Sequence, residues 1–286
     1  MKKLSVFLFF IYLLSLSHSV LSETLRVSPI QLKQQLVSTE LIILDARSSE
    51  DYQSGHIQGA LSFPVNLTYD DKHLNGKISQ PAETQKIFRA LGITKDSPII
   101  IYDNGALVDA ARLFWTLEVY GLKRVKVLDH GYDTWIDKNF PVSINKPEVT
   151  PSRYIATINH KRLASKFTTQ LATRNSNQLI IDARSNSDYI GKTSSAKRFG
   201  RIPTSINIPA VHNISHEQGF ASLKPIATLS QIYTDVPKEK KIVIYCSIGR
   251  VSSSNYLALR ELGYDVSNYD ASWNEWGNDF NLPIEK

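Results

Sequence analysis

The chain contains the same pattern twice. The stretch "LIILDARSSEDYQSGHIQGALSFPV" at 41–65 is matched by "LIIDARSNSDYIGKTSSAKRFGRIPTSINIPA" at 179–210. Each opens on an apolar run ending in Asp-Ala-Arg, passes Asp-Tyr and Gly-x-Ile, and reaches a proline. Asp45 and Asp182 correspond, 137 residues apart, and the second copy carries the insertion "IGKTSSAKRF". Further on, "SPIIIYDNGALVDAARLFWTLEVYG" (97–121) matches "KKIVIYCSIGRVSSSNYLALRELG" (240–263), and "LDHGYDTW" (128–135) matches "YDASWNEW" (269–276). A repeat this long is a domain rather than a solenoid rung. The 286 residues, 42% of them hydrophobic, suffice for two ordinary cores.

Within each copy, short apolar runs alternate with helical patterns. "LIILD", "QLIIDA", "PIIIYD" and "KIVIYC" are continuous apolar runs, as expected of parallel strands covered on both faces. In 107–121, Ala110, Leu113, Leu117 and Tyr120 recur at spacings of three and four, which predicts a helix. In 252–263, Tyr256, Leu259 and Leu262 do the same, and Gly263 is a C-terminal stop. Alternating strands and helices predict an α/β fold with a mostly parallel sheet in each domain. The boundary is expected in "PVSINKPEVTPSR" (141–153), with three prolines and no periodicity. The expected division is a leader over 1–22, a first domain over 23–145 and a second over 153–286.

The leader is read as an export signal. Lys2 and Lys3 precede the apolar run "LSVFLFFIYLLSLS", and small residues follow. Cleavage is expected after Ser22, with Ser19 as the alternative, to give a periplasmic or secreted protein. The run is short for a membrane span, so an uncleaved anchor is the lesser reading. No later segment is long and apolar enough to span a bilayer. The formal charge of +6, or +4 without Lys2 and Lys3, is scattered, and no basic stripe points to nucleic acid.

The chain has one cysteine, so it forms no internal disulfide. Cys246 directly follows the apolar run "KIVIY", and a helix is expected from about Ser252. Such sheets bind ligands in the loop between strand and helix. A helix N-terminus offers unpaired N–H groups and partial positive charge. Gly249 permits the backbone to turn those groups inward, and Arg250 adds positive charge. Each feature favours a thiolate over a thiol and makes Cys246 a candidate nucleophile rather than an inert core residue. The last histidine is His216, so nothing nearby supports a Cys-His pair. Phosphoryl and sulfur transfer both suit a cradle of N–H groups. Cysteine phosphatases place arginine six residues after the cysteine; here Ser252 stands there and Arg250 comes four after. That spacing disfavours phosphate and favours a smaller terminal sulfur.

On these residues the chain resembles the two-domain rhodanese-type sulfurtransferases. The resemblance rests on Asp-Ala-Arg through Gly-His-Ile-x-Gly-Ala at 45–60, on Asp182-Ala183-Arg184 and Gly200-Arg201-Ile202-Pro203, on Cys246-Ser-Ile-Gly249, and on "YDASWNEWG". It implies a scaffolding first domain, with Asp103 where Cys246 stands, and a catalytic second domain. It implies that the Cys246 thiolate takes sulfur from a donor anion such as thiosulfate and passes it to cyanide or a thiol. The N–H groups of Ser247, Ile248, Gly249, Arg250, Val251 and Ser252 would hold the persulfide, with no metal or organic cofactor. Alternatives are the same chemistry on 3-mercaptopyruvate, or a persulfide carrier serving a protein acceptor. The loop "CSIGRV" fits neither donor pattern of the family, and Arg250 tips the reading toward thiosulfate.

The resemblance also puts Asp182 near the loop, to orient backbone or Arg250. Arg184 is expected to pair with Asp188, as Arg47 with Asp51. Lys192, Lys197 and Arg198 either hold the donor's anionic end or form a solvated basic loop. Trp273 and Trp276 are expected in the core rather than the cleft. His212 and His216 sit four apart without an evident third ligand.

Overall fold

The computed structural model describes residues 24–71, 75–217 and 220–286, so the leader lies outside the described residues. The first domain has strands β1 (Arg26–Val27), β2 (Ile42–Asp45), β3 (His56–Ile57), β4 (Leu61–Ser62), β5 (Ile99–Tyr102), β6 (Val125–Leu128) and β7 (Val142–Ser143). The second has β8 (Leu163–Ala164), β9 (Gln178–Asp182), β10 (Ile206–Asn207), β11 (Ile214–Glu217), β12 (Phe220–Leu223), β13 (Lys241–Tyr245) and β14 (Val266–Tyr269). The main sheets run β1-β6-β5-β2-β4 and β8-β14-β13-β9-β10, all parallel. The two orders superpose strand for strand, which is the internal repeat expressed as topology. The apolar runs form the middle of each sheet because Ile99–Tyr102 and Ile242–Tyr245 are buried on both faces. Antiparallel β3–β7 and β11–β12 are additions that the apolar runs did not mark.

Helices α1 (Pro29–Gln35), α2 (Ser49–Ser54), α3 (Pro81–Ala90), α4 (Val108–Val119) and α5 (Gly131–Asp137) flank the first sheet. Helices α6 (Lys166–Ala172), α7 (Asn186–Tyr189), α8 (Ile226–Ile232), α9 (Ser252–Glu261) and α10 (Ser272–Trp276) flank the second. α4 and α9 each follow the central strand of their sheet, and they pack on one another across the domain boundary. Both are buried nearly all round, as a helix squeezed between a sheet and another helix must be. The contact is fastened by Glu118, which accepts from the Tyr256 hydroxyl and from Arg260 at 2.9 Å. Gly263, at φ +78°, ends α9 as its position in the repeat predicts.

The proline-rich stretch at 141–153 does not hang free. Val142–Ser143 pairs with β3, Ser152 N–H donates to the Arg89 carbonyl, and Tyr154 is buried against Phe88. Proline here limits regular structure without preventing packing.

Candidate active site

Cys246 ends the central strand of the second sheet and is buried, with 1% of its surface exposed. Its N–H donates to the Ser272 hydroxyl at 3.1 Å, and its carbonyl accepts from Trp273 N–H at 3.0 Å. Among the described residues, the N–H groups of Ser247, Ile248, Gly249, Arg250, Val251 and Ser252 donate to no protein acceptor. The chain therefore presents consecutive unpaired donors beside its one thiol, where water or an anion must satisfy them.

The loop shape has identifiable causes. Gly249 takes φ +69°, and a Cβ there would lie 2.4 Å from the Asp270 carbonyl oxygen, so only glycine fits. The Gly249 carbonyl accepts from Asn268 Nδ2 at 3.0 Å, Ser253 Oγ at 2.9 Å and Arg112 at 3.1 Å. Ser252 donates to Asn268 Oδ1, so one buried amide ties both ends of the turn. Ser272 sits at φ +53°, a strained conformation for a residue with a side chain.

The first domain forms part of the wall. Arg112 on α4 is fully buried and donates to Gly249 O, to Gly76 O at 3.0 Å and to Thr68 Oγ1 at 3.3 Å. Burial lowers its pKa, while Tyr69, Asp270 and Cys246 act in the opposite direction. Ile78 N–H donates to Asp270 at 2.7 Å across the boundary, and burial raises that carboxyl.

Several sequence-based roles change. Arg250 does not face the sulfur as a free charge: it pairs with Asp109 of the first domain at 2.6 Å, because the boundary brings that carboxylate within reach. Asp182 does not touch Arg250. It binds Arg184 through both carboxylate oxygens, at 3.0 and 2.6 Å, and accepts from the Tyr245 hydroxyl, next to Cys246. Burial first, then Asp182, pushes the Tyr245 hydroxyl well above its ordinary value, so it stays a donor. The expected Arg184–Asp188 and Arg47–Asp51 pairs are replaced by Arg184–Asp182 and Arg47–Asp45. Asp188 and Asp51 are instead held by the capping hydroxyls of Ser185 and Ser48.

Arg198 donates to the carbonyls of Trp276, Gly277, Asp279 and Leu282, which makes it a clamp on the C-terminal segment rather than a donor ligand. Lys192 and Lys197 are exposed. Trp273 and Trp276 are fully buried core residues, with the Arg184 guanidinium 4.4 Å over the Trp273 ring. His212 and His216 are both exposed, and no cluster of metal ligands occurs among the described residues.

The rhodanese-like domain family matches residues 28–138 and 165–279, which is most of both halves. The chain belongs to the rhodanese family. As a tandem rhodanese it is 29% identical over 249 residues to the sulfur carrier protein TtuD of Thermus thermophilus, spanning 82% of this chain and 87% of that one. It is 30% identical over 267 residues to a putative thiosulfate sulfurtransferase of Saccharopolyspora erythraea, spanning 88% of this chain and 93% of that one. It superposes with TM-score 0.76 and 26% identity on crystalline SseA from Escherichia coli, a 3-mercaptopyruvate enzyme; the match covers 87% of this chain and 99% of SseA. The tandem rhodanese fold thus accounts for both halves and their parallel sheets.

Sequence reasoning missed Arg112, Tyr69, Asn268, Asp109 and Ser272. One signal was readable: Arg112 is a charge inside the otherwise apolar run "AARLFW". For the others, the partner lies far along the chain.

Proposed function

We propose that the protein is a sulfurtransferase using Cys246 as its nucleophile, with thiosulfate as donor. The thiolate attacks the outer sulfur of thiosulfate. The sulfur–sulfur bond to the sulfite group breaks with its electron pair, sulfite leaves, and Cys246 holds a persulfide anion. Cyanide or a thiolate then attacks the outer sulfur, and the Cys246 thiolate leaves, giving ping-pong kinetics. The observation that carries this reading is the run of unpaired N–H groups from Ser247 to Ser252 around the only cysteine. Preset donors at a site of developing negative charge lower the barrier without reorganisation.

The second reading is the same chemistry on 3-mercaptopyruvate. It is favoured by the Arg250–Asp109 pair, which removes the cation that pointed to thiosulfate. A persulfide carrier for a protein acceptor is the third, consistent with the likeness to TtuD. The deciding experiment is intact mass after incubation with each donor, alongside release of thiocyanate, sulfite and pyruvate. Gain of one sulfur on wild type and none on Cys246→Ser supports the nucleophile. Sulfite release exceeding pyruvate release selects thiosulfate, the reverse selects mercaptopyruvate, and loading without turnover selects the carrier. No sulfur gain from either donor sinks all three.

We also infer export to the periplasm or beyond, from Lys2, Lys3 and the apolar run that follows. N-terminal sequencing of the mature protein tests it: a first residue of Glu23 or Val20 is expected, and an intact Met1 refutes cleavage.

A further inference from the structure

The domain that lacks the cysteine places two polar groups against the Cys246 loop, and neither has found its natural partner. Tyr69 is 6% exposed, and its hydroxyl is buried with no hydrogen-bond partner. A buried hydroxyl left this way costs free energy, so it calls for a ligand or a function. Arg112 is completely buried and forms no ion pair with a carboxylate among the described residues. A buried guanidinium without a direct ion pair is costly even with the Asp270 carboxylate near enough to offset part of its charge.

The geometry joins the two and sets them against the loop that carries the sulfur. The Arg112 guanidinium lies 4.4 Å over the Tyr69 ring and 4.4 Å over the Trp115 ring, so Tyr69 is held on one face. The same guanidinium donates to Gly249, three residues beyond Cys246. Tyr69 pairs with Ile78 as an isolated antiparallel bridge, and Gly76, close by, packs against the loop. A Cβ on Gly76 would lie 2.8 Å from Ile248 O and 2.6 Å from Asp270 O. The segment bearing Tyr69 is thus in contact with the residues flanking Cys246.

We propose that this site is completed across the domain boundary: the Tyr69 hydroxyl donates a hydrogen bond to the anionic sulfur on Cys246, and Arg112 positions Tyr69 and balances that charge. Electrostatics agree with the placement. The titration of Tyr69 is raised by burial first, lowered by Arg112 and Arg250, and raised by Cys246 and Asp109. Its hydroxyl therefore stays protonated and acts as a donor, not a base. Arg112 likewise feels Cys246 as an opposite charge. In this arrangement Tyr69 is a catalytic residue and Arg112 a positioning residue. Arg250 is spent on Asp109, which leaves Arg112 as the guanidinium free of a carboxylate at the loop.

The inference rests on the sulfurtransferase reading for its role in turnover, and its test is built to fail separately. In full-length Tyr69→Phe, the pH of half-maximal Cys246 alkylation by iodoacetamide is expected to move upward. Loading of sulfur from thiosulfate is expected to slow by about tenfold, the equivalent of one lost charge-assisted hydrogen bond. Arg112→Lys keeps a charge but loses the planar fork, and is expected to shift the alkylation profile in the same direction. The alkylation arm needs no sulfur donor. If wild type loads no sulfur but Tyr69→Phe still shifts that profile, the function reading fails and the placement of Tyr69 stands. An unchanged profile in folded Tyr69→Phe, which keeps the ring under Arg112 and removes only the hydroxyl, overturns the inference. Should Tyr69→Phe not fold, an unchanged profile in Arg112→Lys overturns it equally.

Discussion

The loops after the two central strands share an origin and hold opposite contents. In the first domain, Asp103 stands at the end of β5 and its carboxylate closes the loop on itself. One oxygen accepts from Gly105 and Leu107 N–H at 2.9 and 3.1 Å, the other from Asp109 and Ala110 N–H, each at 3.2 Å. In the second domain Cys246 stands at the end of β13, the helix starts one residue later relative to it, and the loop N–H groups meet no acceptor. The first domain therefore shows what this corner of the fold does with an anion: it wraps it in amides. With its own carboxylate inside, the amides of that corner are already taken. Replacing carboxylate by thiol empties the nest and leaves a reactive group at its edge.

The comparison extends to the next turn. Tyr132 and Asp133 N–H donate to the carbonyls of Asp103 and Asn104, just as Trp273 and Asn274 N–H donate to those of Cys246 and Ser247. This aligns Gly131, at φ +58°, with Ser272, at φ +53°. Glycine is the natural occupant of that conformation. The second domain carries the strain of a serine, whose hydroxyl accepts from Cys246 N–H and donates to Tyr269 O.

The strongest way to break the contrast is Cys246→Asp. The new carboxylate should capture the free amides, giving a folded protein with no detectable sulfur gain by intact mass. A variant that still loads sulfur would mean the nucleophile lies elsewhere. Next is Asp103→Cys, which leaves four amides, two of them buried, without an acceptor. A loss of about 3 kcal/mol is expected in denaturant unfolding. Ser272→Gly and Ser272→Ala sharpen the comparison at smaller scale. Both lose the hydroxyl and should transfer sulfur more slowly, but the glycine variant should be the more stable by about 1 kcal/mol, because only it relieves the left-handed strain. Equal stabilities would show that the strain is not there.

The smallest effect concerns pH. Burial raises the Asp103 carboxyl, and its amide donors restrain that rise. A carboxyl whose folded pKa exceeds its unfolded one contributes stability that is complete below the unfolded value and lost as pH rises through the folded value. Asp103→Asn removes that loss. Unfolding measured across pH 3–7 should show the variant gaining on wild type as pH rises. A gap that widens the other way would mean the amides outweigh burial.

The sequence alone determined the duplication, the α/β class, the four central strands β2, β5, β9 and β13, helices α4 and α9, and the address of Cys246. These are local or repeated signals: an apolar run, a three-and-four spacing and a glycine stop appear in consecutive residues. It also marked Gly249 and the loop donors, because a strand-to-helix corner presents them whatever surrounds it. Only the tertiary structure decided where the charges go. Arg250 met Asp109, Arg184 met Asp182 rather than Asp188, and Arg198 met four carbonyls. Arg112 reached the second domain from the first. A long side chain pairs with whatever the packed domains bring within a few ångströms. The Arg250–Asp109 pair spans 141 residues of chain, beyond the range of any periodicity.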